Sequence, residues 1–252
     1  IRQKALYGEF TFHTSQVFDV TLGFRHFSLD AVGDSDMTFA LYGLAPSSGL
    51  HENKEQDTLY KLNLAYMPEE NQTWYATISE GFRRGGINAV PTEGTFIEEE
   101  GWVPFTSDKV LNYEFGRKGI TENNVYYNLS FYKVIWKDPQ LNTDTPNYSF
   151  YAVINGDEAK TQGIDIELKG TIGKLDWDFG YARNKSELTG DLFTPASTPL
   201  LYAPNGTSLP GTPENMLNAG VAYTSYFNNG WGIVHRGNLY HQSDMKNHLS
   251  TS

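Results

Sequence analysis

The sequence predicts an all-β protein whose strands are antiparallel and follow one another as an up-and-down meander. Three observations predict it. Apolar and polar residues alternate with period two through most of the chain, as in strands with two unlike faces. Short turns and long polar connections alternate without exception. Aromatic residues, 14% of the composition, gather beside the short turns.

The strands can be read off in order. "QVFDVTLGFRHFSLD" sets Phe18, Val20, Leu22 and Phe24 against Asp19, Thr21, Gly23 and Arg25. "TLYKLNLAYM" sets Tyr60, Leu62, Leu64 and Tyr66 against Lys61, Asn63 and Ala65. "LNYEFGRKG" opposes Leu111, Tyr113 and Phe115 to Asn112, Glu114, Gly116 and Lys118. "VYYNLSFYKVIW" opposes Val125, Tyr127, Leu129 and Phe131 to Tyr126, Asn128, Ser130 and Tyr132. "LDWDFGYA" and "LNAGVAY" repeat the pattern, with Trp177, Phe179, Val221 and Tyr223 on their apolar sides and Asp176 and Asp178 opposite. Weaker strands fall at about 4–13, 72–83, 148–170 and 230–241, which makes ten.

The connections set the topology. Short turns lie at 13–16, 68–71, 120–124, 171–174 and 227–230, and long Gly/Pro-rich segments at about 30–56, 84–107, 137–148 and 186–213. A meander with all its short turns at one end and all its long loops at the other has this rhythm.

Two architectures satisfy such strands: a soluble β-sandwich with the apolar face inward, or a transmembrane barrel with it outward. The strict short/long order departs from the Greek-key connections of sandwiches. Phe12, Phe18, Tyr66, Trp74, Tyr127, Tyr223 and Trp231 share one level beside the turns, as in the aromatic girdle of an outer-membrane barrel. The apolar faces are nearly free of charge, and a Lys or Arg there at mid-bilayer costs roughly 2–4 kcal/mol. The exceptions, Glu80, Arg117 and Lys133, fall near strand ends. The barrel is the better fit. No apolar run exceeds the five residues Phe150 to Ile154, so no helix of the roughly 20 apolar residues that a span requires is present. The formal charge of −11 argues against a nucleic-acid partner, and the absence of cysteine rules out disulfides and thiolate metal sites.

"YATISEGFRRGGIN" resembles the "Y-A-x-x-S-x-G-F-R-x-G-G-x-N" segment of TonB-dependent outer-membrane receptors. "LNYEFGRKG" followed by "VYYNLSFYKVIWKDPQ", "INGDEAKTQGIDIEL" and "LPGTPENMLNAGVAY" resemble later hairpins of the same family in the same order. Arg84 stands where the family often has Pro, and Asp165 where it often has Glu. The resemblance implies that residues 1–252 form part of the receptor's β-barrel domain, about ten strands of a 22-stranded barrel, without the family's plug domain. It implies a Gram-negative outer membrane, lipid around the barrel, energised import of a ferric siderophore, coupling to the TonB complex through a plug outside this chain, no cofactor and no enzymatic activity. Cobalamin and oligosaccharide importers share the fold.

The site residues follow from parity and from the resemblance. Arg83 shares the polar face with Tyr75, Thr77 and Ser79, and Arg84 lies past the strand end. These two are the ligand-binding candidates, suited to an anionic chelate. Pairing of the arginines with a carboxylate such as Glu114 or Glu167 is the simpler expectation. Gly81, Gly85 and Gly86 there suggest backbone shapes that a Cβ resists. Arg25, Lys61, Asn112, Glu114, Lys118, Asp165 and Glu167 should face the lumen or a plug. The acidic stretches at Asp34/Asp36 and Glu98–Glu100 read as solvated loops, and no metal site or catalytic residue is expected. Two alternatives stand beside the receptor: a self-contained ten-stranded barrel, either a passive pore or a surface hydrolase built on His51, Glu52 and Asp57, and a soluble carbohydrate-binding sandwich. If Leu62, Phe115 and Val221 converged in a sealed centre, the barrel reading would fail.

Overall fold

The computed structural model describes residues 1–38, 43–44, 46–247 and 249, so residues 39–42 and 45 of the expected 30–56 loop lie outside it. Ten strands form one antiparallel sheet in chain order: β1 (Arg2–Ser15), β2 (Phe18–Met37), β3 (Ser47–Glu69), β4 (Gln72–Arg83), β7 (Asp108–Ile120), β8 (Tyr126–Lys137), β11 (Glu158–Ile172), β12 (Leu175–Leu188), β15 (Asn215–Tyr226) and β16 (Gly232–Gln242). Three short hairpins stand in the long connections: β5 (Gly86–Ile87) with β6 (Pro104–Phe105), β9 (Gln140–Asp144) with β10 (Tyr151–Asn155), and β13 (Leu192–Phe193) with β14 (Leu201–Ala203). β1 and β16 are the two margins of the sheet. The short turns use left-handed backbone where they must: Asn124, Gly173 and Gly230 have φ of 56°, 63° and 83°.

Two expected boundaries move. The segment 30–56 is mostly ladder, since β2 and β3 stay in register from Asp30↔Lys54 to Met37↔Ser47. The inner face of this extension buries Ala31 and Ser47, which a solvated loop would leave wet. The strand expected at 148–170 is two strands. A corner at Gly156–Asp157, held by Gly156 N–H to Pro139 O (2.8 Å) and Asp138 N–H to Asp157 O (3.0 Å), separates the β9–β10 hairpin from the wall.

The sheet has one apolar face open to the surroundings. Leu62 is only half-buried, and Phe115 and Val221 are each 49% exposed. Leu22, Tyr60, Ile78 and Phe131 are exposed on the same face. A sandwich core is therefore excluded, because these side chains meet no second layer. What they offer is the outward band of a barrel, which hydrocarbon covers. Near the short turns Trp74 and Tyr127 flank Arg117, whose guanidinium carbon lies 4.7 and 5.2 Å from the two ring centroids. Arg117 also donates from Nη2 to Gln72 Oε1 (2.5 Å). This explains how a cation is held on the apolar face: two rings and an amide take it at the interface.

The protein's main buried core lies elsewhere. The connections 84–107, 138–157 and 189–214 fold together over the polar face at the long-loop end. They share one cluster that includes Val90, Trp102, Leu141, Ile154, Leu192, Ala203 and Leu209, with Ala159 and Leu188 of the wall beneath. This canopy ties the loops to the sheet.

Candidate functional site

The polar face is built by cross-strand pairs. Tyr75 donates its hydroxyl to Glu114 Oε1 at 2.6 Å. Its ring lies flat across Gly116, where an added Cβ would stand 2.5 Å from the ring carbon Cζ. Tyr132 lies over Gly163 in the same way, its hydroxyl oxygen 2.5 Å from the site of a Cβ. Glycine is required at both positions by close approach. Lys61 reaches Glu9 Oε2 at 2.8 Å across Gly23, and Glu167 pairs with Lys169 at 2.6 Å. Lys118 sits 5.9 Å from the Tyr75 ring centroid, and Arg25 lies 5.8 Å from that of Phe82. Asn112 is in register with Ser79 and Val134, and Asp165 with Ser130 and Ala182. Neither Asn112 nor Asp165 makes a side-chain hydrogen bond among the described residues.

At the top of the wall, Arg83 pairs with neither Glu114 nor Glu167 but with Asp108, its register partner on β7. Asp108 Oδ2 accepts Arg83 Nε (2.9 Å) and Nη2 (2.5 Å), Trp136 Nε1 (2.8 Å) and the Gln140 N–H (3.2 Å), while Oδ1 accepts the Arg83 N–H (3.0 Å). The carboxylate is buried, at 1% exposure, and five hydrogen bonds to its two oxygens make that burial tolerable. Arg83 itself is 55% exposed and stacks over Trp136 at 4.8 Å. Arg84 is exposed, its carbonyl accepts Gln140 Nε2 (2.9 Å), and its guanidinium meets no carboxylate among the described residues.

The glycines around the two arginines serve packing. None of the three has positive φ. A Cβ at Gly86 would fall 2.6 Å from Phe105 Cζ, and at Gly81 2.9 Å from Val110 Cγ2.

Sequence reasoning missed the residues that assemble the canopy. Asn88 donates to Trp102 O (2.8 Å) and Val153 O (2.7 Å) and accepts the Val153 N–H (2.8 Å), which locks two loops together. Glu98, expected in a solvated loop, is buried and accepts Thr145 Oγ1 (2.7 Å), Asn147 Nδ2 (3.1 Å) and the Tyr148 N–H (3.1 Å). Glu99 accepts the Ser197 N–H at 2.6 Å. Among the described residues no group of three His, Cys, Asp or Glu is placed to hold a metal ion. Asp57 forms an ion pair with Lys109, away from His51.

The fold and this two-sided wall define a sector of an outer-membrane β-barrel, apolar outside, polar within and roofed at one end. The chain belongs to the TonB dependent receptor-like β-barrel family, whose model matches residues 1–250. It is an outer-membrane protein of the Gram-negative type. Over 188 residues it is 27% identical to the pesticin receptor of Yersinia enterocolitica, a match covering 74% of this chain and 26% of that protein. The ferric yersiniabactin uptake receptor FyuA of Yersinia pestis superposes with a TM-score of 0.69 at 21% identity, over 94% of this chain and 33% of that one. The siderophore receptor PiuA of Acinetobacter baumannii gives 0.65 at 16% identity, over 94% and 36%. The chain thus spans about a quarter of the curated relatives it matches and a third of the solved ones.

Proposed function

We propose that this chain supplies wall and extracellular loops to an importer of ferric siderophores. A plug domain seated against the polar face would link it to the TonB complex. The observation that carries the reading is the canopy: three long connections packed into one body over the polar side, with Arg83 and Arg84 at its edge. A roof of this kind suits capture of a scarce ligand better than free diffusion through a pore. The relatives, a pesticin receptor and two siderophore or ferric-chelate receptors, favour an iron chelate within that class. Arg83 and Arg84 contact the chelate's anionic groups, and Arg25, Lys61, Asn112, Glu114, Lys118, Asp165 and Glu167 line the lumen against the plug. The protein acts as a transporter, not an enzyme.

The test is uptake of ⁵⁵Fe by cells with and without the gene, supplied with phenolate, catecholate and hydroxamate chelates in turn. One chelate should lose uptake on deletion and regain it with the gene, and should lose it again when TonB is removed. Unchanged uptake of every chelate would refute the assignment.

A further inference from the structure

A second charged feature lies on the opposite side of the wall from the canopy. Register places Lys133, Gln162 and Lys185 in one row across β8, β11 and β12. Phe131, Ile164 and Arg183 form the row below, and Ile135, Lys160 and Glu187 the row above. All share parity with Leu129, Ile166 and Tyr181 of the outward apolar band. Exposure agrees: Arg183 and Lys185 are exposed, while the intervening Asn184, Ser186 and Leu188 are buried beneath the canopy.

Four cations therefore cap the apolar band on its extracellular side. Glu187 holds two of them, Lys185 at 2.6 Å and Lys160 at 3.3 Å, and Arg183 pairs with Glu214 at 3.1 Å. Lys133 meets no carboxylate among the described residues. Four positive charges against two negative leave a surplus of two, on a chain whose net charge is −11. One carboxylate fixing two ammonium groups also reduces their freedom, so they are partly positioned before any anion arrives. Lys133 and Lys185 flank Gln162 with their backbones about 10 Å apart, two strand spacings, a span that long side chains close around one phosphate group.

We infer that this patch docks the phosphorylated head group of an outer-leaflet glycolipid. The charge is complementary, the height is that of the head groups, and Phe131, Ile164, Leu129 and Ile166 directly below offer a surface for acyl chains. A soluble anion would gain nothing from that lower surface, so the lipid is the occupant the arrangement favours.

The experiment uses the protein extracted from its membrane in detergent, with binding read by native mass spectrometry. Bisphosphorylated lipid A, its dephosphorylated form and inorganic phosphate are the probes. The unaltered protein should hold the bisphosphorylated lipid and release the dephosphorylated one. Lys133→Gln with Lys185→Gln should weaken that binding roughly thirty-fold, and Lys174→Gln at the far end of the wall should not. Heat-modifiable migration in gels confirms that each variant keeps its fold. Equal lipid binding by the double variant would overturn the proposal, as would phosphate binding as tightly as the lipid. Either result leaves the uptake assay unaffected, so the two readings fail separately.

Discussion

Arg83 and Asp108 face each other across the top of β4 and β7, the guanidinium Nη2 2.5 Å from a carboxylate oxygen that also takes the Trp136 indole N–H. One buried oxygen thus joins three wall strands to the start of the second canopy loop through the Gln140 N–H.

Asp108→Ala should uncouple that junction. The variant leaves the Trp136 and Gln140 donors unpaired, at a cost of about 2–3 kcal/mol. Exposed Arg83 recovers much of its own loss in solvent. Hydrogen exchange should quicken at Gln140 and through 138–144 more than at the short turns. Unchanged exchange there would count against the junction.

Asn88→Ala should loosen two loops at once. Its side chain makes two hydrogen bonds to Val153 across 84–107 and 138–157 and a third to Trp102 within its own loop, so the protection of both loops should fall together by the equivalent of roughly 2–3 kcal/mol. Loss confined to one loop would mean that the canopy is not a single body.

The wall and its two faces were legible because periodicity of two survives any detail of packing. The same rule gives Arg83 the parity of Tyr75, Thr77 and Ser79, but it was not carried back to Asp108. It stands at the start of β7 with the parity of Asn112 and Glu114, and extending the alternation back by four residues places it opposite Arg83. The canopy was illegible for a physical reason. Val90, Trp102, Leu192 and Ala203 come from segments without periodicity, rich in Gly and Pro, and their burial depends on neighbours far along the chain. Glu98 looked solvated because a carboxylate's partners, here Thr145 and Asn147, leave no mark on its own surroundings in sequence.

Gly116→Ala should displace Tyr75, and Tyr75→Ala should relieve it. The double variant should be more stable than the two single losses imply, with a coupling of roughly 1–2 kcal/mol in urea titrations of the folded barrel. Simple additivity would show that the ring does not rest on the glycine.

Arg84→Ala tests the proposed ligand contact with little structural cost, since that guanidinium meets no carboxylate among the described residues. If it meets an anionic chelate, affinity should fall about ten- to hundred-fold, corresponding to roughly 1.5–3 kcal/mol. Binding of the ferric chelate to the purified protein measures it, and an unchanged affinity removes Arg84 from the site.

Glu187, above the membrane band, has its pKa depressed below the ordinary 4.5, first by its hydrogen bond to Lys185 and then by that to Lys160. A depressed carboxylate stabilises the fold above its unfolded pKa and loses that contribution as pH falls through the lower folded value. Acidification from pH 5 toward pH 3 should therefore release Lys160 and Lys185 and fray the upper ends of β11 and β12. Glu187→Gln should flatten that dependence in pH-resolved hydrogen exchange.

The two tyrosines laid over glycines have a mechanical consequence. Because Tyr75 and Tyr132 each lie across the glycine opposite them on the next strand, their rings rest on the wall instead of standing free of it. At those two places a folded body seated against the wall would meet the flat of a ring and a hydroxyl. Filling either glycine would narrow the passage as well as strain the sheet.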